Sequence, residues 1–502
     1  MKEIGTLKKE TAEVQPPLGT ERTEPFVFRP RVFAVDEGTL ARCQTPGEEF
    51  AASGGAPSPG EILRRLVCGE KGVRAPAFLD GPPFLLAFDP LEPVRACDPG
   101  REPFAYLRAC ARALKPEPGD PVPGPFHGGF IGALAYEAAQ GLFDRFSLPE
   151  DPLGLPKLVG GIYTDFLVGD EKGRWWLVLG DGPLDGRPPV EMRRQRILAL
   201  LQTPAPEASL NFHGPLERHV SVAKHRRRIE AARDWIARGE MYQANVTQRF
   251  SRRVSGSPLE LYLRLRSLQP APYGSFLSFP GGALLCASPE LLLEFESGRS
   301  LYTRPIKGTA SRHTDEREDR ASAARLLSSE KDLAELGMIV DLERNDLGRI
   351  ALAGSVSVAN FPRLESYSGV HHLSADVRAR PRPDVDAARA LEALFPGGSV
   401  TGAPKLRCME ILSDLEEEGR GLFYGSLLRL DTRGRLKANL LIRSLVWCAD
   451  SAKEPDSLAA PLGSARVHYR VGGGITYASD PELEERECHW KGLNLSRALG
   501  RG

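Results

Sequence analysis

Three things are scarce in this 502-residue sequence: net charge, paired cysteines and long apolar runs. Lysine and arginine together number 66, and so do aspartate and glutamate. A formal charge of zero gives no global footprint for nucleic acid or an anionic membrane. The cysteines (Cys43, Cys68, Cys97, Cys110, Cys286, Cys408, Cys448 and Cys488) fall in no Cys-x-x-Cys pair. That argues against a zinc ribbon or a dithiol redox motif. Scattered thiols of this kind are expected reduced, several of them buried. No apolar run approaches the ~20 residues a membrane helix needs. Residues 1–26 are polar and lack the apolar core of a secretory signal, which predicts a loose tail on a cytoplasmic protein.

What remains is a chain 41% apolar, long enough for one big domain or two to three ordinary ones. Residues 27–205 read as an α/β half heavily punctuated by Pro and Gly, as in Gly81-Pro82-Pro83. Phe84–Phe88 and Trp175–Leu179 read as buried strands. Phe126-His127-Gly128-Gly129-Phe130-Ile131-Gly132 is glycine-rich but has no phosphate-loop Lys-Ser/Thr, so it reads as close strand packing. Residues 202–216 read as a linker, and a helix is expected from about Glu217 to Arg238, with Gly239 at its end. The run Arg226-Arg227-Arg228 on it reads as a solvated face.

The chemistry-bearing residues lie further on. Tyr242-Gln243-Ala244-Asn245-Val246-Thr247-Gln248-Arg249-Phe250 alternates like a strand. Its polar face (Gln243, Asn245, Thr247) is either a solvated edge or the wall of a polar cavity. The apolar strand Ala283–Ala287 stops at Ser288-Pro289-Glu290, so Glu290 is either a satisfied surface group or an acid in a pocket with a raised pKa. Arg304-Pro305-Ile306-Lys307-Gly308-Thr309 read alone is a turn with an exposed lysine. Ser329 is placed to cap a helix on which Glu335 shares a face with Ile339 and Leu342. A carboxylate there needs a partner, either an arginine or a hard cation. The stretches 395–405 and Val471-Gly472-Gly473-Gly474-Ile475 offer bare backbone N–H groups to an anion, or are structural turns. Arg443 inside the apolar strand Asn439–Leu445 implies a buried carboxylate beside it. A last helix from Ser479-Asp480-Pro481 carries Glu484, Glu487 and Lys491 on one face.

In order along the chain, Pro305–Thr309, Glu335–Arg349, Val370-His371-His372-Leu373, the 395–405 stretch and the 472–487 tail resemble the chorismate-utilising family. That family holds anthranilate, aminodeoxychorismate, isochorismate and salicylate synthases. The likeness is continuous over about 217–497, and Gly128-Gly129 and Gly161-Ile162-Tyr163 extend it weakly toward the N-terminus. It implies an α/β (α+β) fold: two packed, mainly antiparallel sheets flanked by helices. A catalytic region at 217–497 would then follow an N-terminal half at 27–205 and the tail at 1–26.

Within the family, Lys307, Gln243 and Asn245 resemble the aminodeoxychorismate form. Anthranilate synthases carry Ala at position 307, and isochorismate-type enzymes carry a water-activating Lys at position 243. The resemblance implies Lys307 as nucleophile and Glu290 as acid. It implies Mg²⁺ on Glu335 and Glu487, with Glu484 beside them. Arg443 and the backbone of Gly472, Gly473 and Gly474 would take the enolpyruvyl carboxylate. Gly308 and Thr309 would border the ring, and His372, Ser399, Thr401 and Lys491 would complete the substrate site. Anthranilate synthase and a non-catalytic regulatory subunit are the alternatives; the full set Glu290, Lys307, Glu335, Arg443 and Glu487 speaks against the second.

No Gly-x-Cys-x-Gly turn occurs, so a separate glutamine amidotransferase partner is expected to supply ammonia. In the family the N-terminal half can hold tryptophan, and Pro270-Ala271-Pro272-Tyr273-Gly274-Ser275 resembles part of that pocket. Phe423 stands where the family often has Tyr, Leu428-Arg429 where it has Gly-Tyr, and Glu485-Arg486-Glu487-Cys488 departs from Glu-Tyr-x-Glu-Thr while keeping both glutamates.

Overall fold

The apolar runs become buried strands: Phe84–Phe88, Trp175–Asp181 and Gly282–Ser288. The computed structural model describes residues 26–36, 39, 58–68, 72–95, 103–182, 186–205, 208–367, 369–450 and 464–500. The expected tail up to residue 25 lies outside them, as do Cys43 and Cys97; Phe26 already opens a strand, Phe26–Val35.

Two large sheets form, one of 13 strands and one of 10. Their ladders are mainly antiparallel, and the pairing of Phe26–Phe28 with Leu114–Pro116 is parallel. Helices flank the sheets, and one apolar cluster joins them, with Phe276 and Leu285 from the larger and Leu293 and Leu428 from the smaller. This is the expected fold. Strands from both parts of the sequence, before and after residue 205, enter both sheets. No helix among the described residues is long and apolar enough to cross a membrane.

Several local expectations shift. The strand Leu210–Arg218 fills the second half of the expected linker, pairing along Gln243–Gly256. The following helix is Val222–Ala237, because the Ser221 side chain accepts the Lys224 N–H and sets its start. Ser329 caps Glu330–Gly348 in the same way. At Gly129 a Cβ would lie 2.1 Å from the Leu430 carbonyl oxygen, so this glycine serves strand packing.

The largest correction concerns Arg443. Asn439–Leu445 is not one strand: Leu436–Asn439 belongs to the smaller sheet and Ser444–Ala449 to the larger. A strand that changes sheet must bend, and Arg443 makes the bend with a left-handed φ of 51°. Its neighbour does the same. Gly282–Ser288 lies in the larger sheet and Leu291–Glu296 in the smaller, with Pro289-Glu290 between them. These strands pair on both sides of the crossing. Glu290 and Arg443 therefore stand on adjacent crossovers, at a seam between the sheets.

Candidate active site

At this seam lies a cavity of about 140 Å³. The two crossovers contribute Glu290 and Arg443, the strand Ile306–Ser311 contributes Lys307, Gly308 and Thr309, and the strand Val370–Ala379 contributes His372. Asn245 enters from Gln243–Gly256, Gly472 and Gly474 from Ser464–Ile475, Ser399 from a short helical turn, and Lys491 from the helix Pro481–Lys491.

Lys307 sits at a β-bulge. The register against Val370–Ala379 slips between Lys307 and Thr309, and Gly308 has a φ of 66°, which glycine adopts without a Cβ penalty. Burial holds the Lys307 amine below the ordinary lysine range; charged Lys491 pushes the same way and Glu335 opposes. Lys491 goes the other way. Burial works against its charge, but Glu487 at 2.8 Å holds it above the usual range. Of two lysines in one cavity, one is biased toward the free amine and the other toward the cation.

Glu290 is 3% exposed. Burial raises its carboxyl above the usual range, against the pull of Ser399, Lys307 and the Ile306 N–H, whose nitrogen lies 3.4 Å away. Ser399 Oγ lies beside it without a hydrogen bond of normal geometry. The carboxyl is thus biased toward its protonated form.

Arg443 is pushed down to about 10 by burial, with Glu290 opposing. Its Nη2 donates to His372 Nε2 at 3.2 Å. His372 Nδ1 lies 3.0 Å from the Gly308 carbonyl, which can only accept, so Nδ1 carries the proton. Burial and the Arg443 charge push this imidazole down to about 3, fixing the neutral form. Gln269, with its amide oxygen turned to Arg443, accepts from Nε and Nη1 at 3.2 and 3.1 Å. Some donor capacity remains for a carboxylate in the cavity.

The glycines have a steric reason. A Cβ at Gly474 would stand 2.1 Å from Gln243 Nε2 and 3.5 Å from Lys307 Nζ, and one at Gly472 would meet Thr247 Cγ2 at 2.8 Å. Gln243 is buried, and neither of its amide atoms meets a protein partner among the described residues. An unpaired buried amide costs ~1–3 kcal/mol, so its partners are expected from water or ligand.

A family model described as chorismate binding enzyme matches residues 86–496. The chain belongs to the chorismate-binding enzymes. It is 36% identical over 428 residues to anthranilate synthase component 1 of Streptomyces coelicolor, covering 82% of this chain and 78% of that protein. It is 34% identical over 408 residues to aminodeoxychorismate synthase component 1 of Bacillus subtilis, covering 79% and 82%. The solved structure of anthranilate synthase component I from Streptococcus pneumoniae TIGR4 superposes with a TM-score of 0.71 at 30% identity, covering 91% of this chain and all of that one.

Not every residue expected at a chorismate site lines this cavity. Thr401 turns away, its hydroxyl donating to the Gly397 carbonyl at 2.9 Å. Gly473 points to the opposite face, as strand alternation requires, and a Cβ there would lie 3.0 Å from Glu484 Oε2. The expected metal set Glu335, Glu484 and Glu487 forms no ready cage, since no trio of His, Cys, Asp or Glu among the described residues could hold an ion alone. Glu484 accepts from Ser479 at 2.7 Å, Glu487 pairs with Lys491, and Lys331 stands 3.9 Å from Glu335. The chemistry still fits a hard cation completed by substrate oxygens and water. All the donors are oxygens, burial raises Glu335 and Glu484, and Glu487 raises Glu484 further, a repulsion that a divalent ion relieves.

Several contributors escape the sequence reading, Arg470 and Leu495 in the cavity lining among them. Gln269 holds Arg443. Tyr424, next to Phe423, lines the cavity with a left-handed φ of 64° and lies under the Arg420 guanidinium at 5.1 Å. Arg420 donates twice to Glu416, at 2.9 and 2.8 Å, and bonds the Asn245 and Val400 carbonyls, so this buried pair braces the cavity wall.

Proposed function

We propose that the chain is the chorismate-aminating component of an aminodeoxychorismate synthase, working in 4-aminobenzoate and folate formation. The observation that carries this reading is Lys307: an amine in the catalytic cavity, biased toward its neutral, nucleophilic form. Relatives of both names stand at similar identity, so the subtype rests on the site.

Arg443, steadied by His372 and Gln269, and the backbone at Gly472 and Gly474 take the enolpyruvyl carboxylate. Lys307 Nζ attacks ring C2, the double bonds shift, and the C4 hydroxyl leaves as water with the proton of Glu290. Ammonia then attacks C4, the double bonds shift back, and the C2–N bond breaks to restore Lys307. The surplus ammonia proton returns to Glu290. The balance is chorismate plus ammonia to 4-amino-4-deoxychorismate plus water. Glu335 and Glu487, with Glu484 beside them, would hold Mg²⁺, which would supply positive charge toward a substrate carboxylate. Ammonia comes from a glutamine amidotransferase subunit, a reading supported by the "component 1" names of the relatives; free ammonium would replace it in vitro.

The test is incubation with chorismate, Mg²⁺ and ammonium, with products identified by mass before and after adding a pyruvate-eliminating lyase. The aminated, pyruvate-retaining product is expected. Fluorescent anthranilate with released pyruvate and no lyase would make the chain an anthranilate synthase. Lys307→Ala should fold and lose amination; retained activity would sink the covalent step in favour of direct ammonia attack.

A further inference from the structure

Outside the catalytic cavity, one cluster joins a hydroxyl, an imidazole and a carboxylate: Ser366, His371 and Asp319. Ser366 lies on the strand Ser357–Tyr367 and His371 on Val370–Ala379, directly opposite each other in the ladder. Asp319 comes from the first turn of the helix Glu316–Leu327, which packs on both strands. His372 lines the catalytic cavity, so His371 beside it faces the other way, toward this helix. Among the described residues Ser357–Tyr367 pairs with Val370–Ala379 alone, which makes it an edge strand.

The protons in the cluster can be placed. Arg312 Nε donates to both Asp319 oxygens at 2.9 Å, and the His313 N–H donates to Oδ1 at 2.9 Å. Together, Arg312 first, they hold Asp319 down to about 2, so it is a carboxylate at neutral pH. Its Oδ1 lies 3.0 Å from His371 Nε2. A carboxylate can only accept, so Nε2 carries the proton. In the neutral imidazole Nδ1 is then a bare lone pair, and the Ser366 hydroxyl donates to it at 2.8 Å. His371 is 3% exposed, whereas Ser366 is open to solvent. A buried base, oriented by a fixed carboxylate, thus holds the proton of a hydroxyl that reagents can reach. A serine nucleophile requires that relation.

We propose that Asp319, His371 and Ser366 form a second nucleophilic site, which takes acyl groups from small, activated esters onto Ser366. Ser366 Oγ attacks the ester carbonyl, and its proton passes to His371 Nδ1. Asp319 holds the imidazolium that forms. The carbonyl oxygen becomes negative near Arg312, whose Nη1 donates to the Tyr367 carbonyl at 3.4 Å and whose Nη2 has no partner among the described residues. The ester C–O bond then breaks, and the departing alcohol takes the proton from His371. Water attacks the Ser366 ester by the same route and releases the carboxylic acid and free Ser366. The balance is ester plus water to acid plus alcohol. Exposure on an edge strand suits a small acyl group, since a long one needs a buried slot.

The experiment treats the full chain with a fluorophosphonate, which forms a stable adduct with an activated serine, and maps the adduct by peptide mass. Ser366 should be modified, and Ser366→Ala should abolish the adduct. His371→Gln should slow labelling roughly 10²-fold or more, because the base is lost. The unaltered chain should hydrolyse 4-nitrophenyl acetate, and Ser366→Ala should not exceed background. Amination of chorismate by Ser366→Ala should match the unaltered chain, which separates this site from the proposed function. No adduct, an adduct elsewhere, labelling undiminished in His371→Gln, or amination lost in Ser366→Ala would each overturn the assignment. Should His371→Gln fail to fold, the mapped adduct and Ser366→Ala decide.

Discussion

Glu290→Gln isolates one proton. The side chain is 3% exposed, accepts the Ile306 N–H, and is biased by burial toward its neutral acid. Glutamine keeps the shape and an acceptor oxygen for Ile306, but it has no proton to give. A positioned general acid is worth roughly 10²–10⁴-fold, or about 3–5 kcal/mol of barrier. The upper end is expected here, because so little of Glu290 is open to water that solvent cannot easily substitute. Stability should behave differently. The folded pKa lies above the unfolded value, so the native state keeps a proton that the unfolded chain has released. The contribution of this group to stability therefore falls as pH rises through that interval. Glutamine removes the penalty, so the difference in melting temperature should move in favour of the variant from about pH 4 upward. The assays are steady-state amination with ammonium and thermal melts across that range. Turnover within tenfold of the unaltered chain, or a melting difference independent of pH, would refute the reasoning.

Gly474→Ala should lower kcat by roughly 10²-fold while leaving the fold intact, because the new Cβ, 2.1 Å from Gln243 Nε2 and 3.5 Å from Lys307 Nζ, forces the Gln243 amide to move beside the lysine; unchanged kcat would show that this approach is not critical. Arg420→Met removes one partner of a buried pair and leaves Glu416 uncompensated, which should cost about 3–5 kcal/mol in denaturant unfolding; a loss below ~1 kcal/mol would mean that Arg470, 3.7 Å from Glu416, takes over. EDTA should abolish turnover and added Mg²⁺ restore it, with Glu335→Gln needing more Mg²⁺ for half-restoration. Full activity in EDTA would sink the metal assignment.

How far the site can be read from sequence depends on how local each cause is. Lys307 with Gly308 is a short-range motif, and the left-handed bulge explains why glycine follows the lysine. Glu290 after an apolar strand is legible too, because Ser288-Pro289 ends the strand in front of it. Arg443 is legible as a buried cation but not as a bend. Seven residues that read as one strand serve two sheets, and only the long-range pairing with Gly282–Glu296 reveals the break. Gly473 follows from strand alternation once one of its neighbours is placed in the cavity. Gln269 and Tyr424 leave no local signal: one ends the helix Pro258–Leu268, the other sits in a non-strand turn, and tertiary packing alone brings them to the site.

The ladder between Gln243–Gly256 and Ser464–Ile475 has a consequence for synthesis on the ribosome. The earlier strand emerges long before its partner, so for much of translation one edge lacks its final neighbour and is open to aggregation. The later strand closes that edge and at the same time supplies Gly472 and Gly474 to the cavity. A nascent chain stalled before Ser464 would therefore present an unfinished sheet edge and a cavity without the wall that Gly472 and Gly474 form.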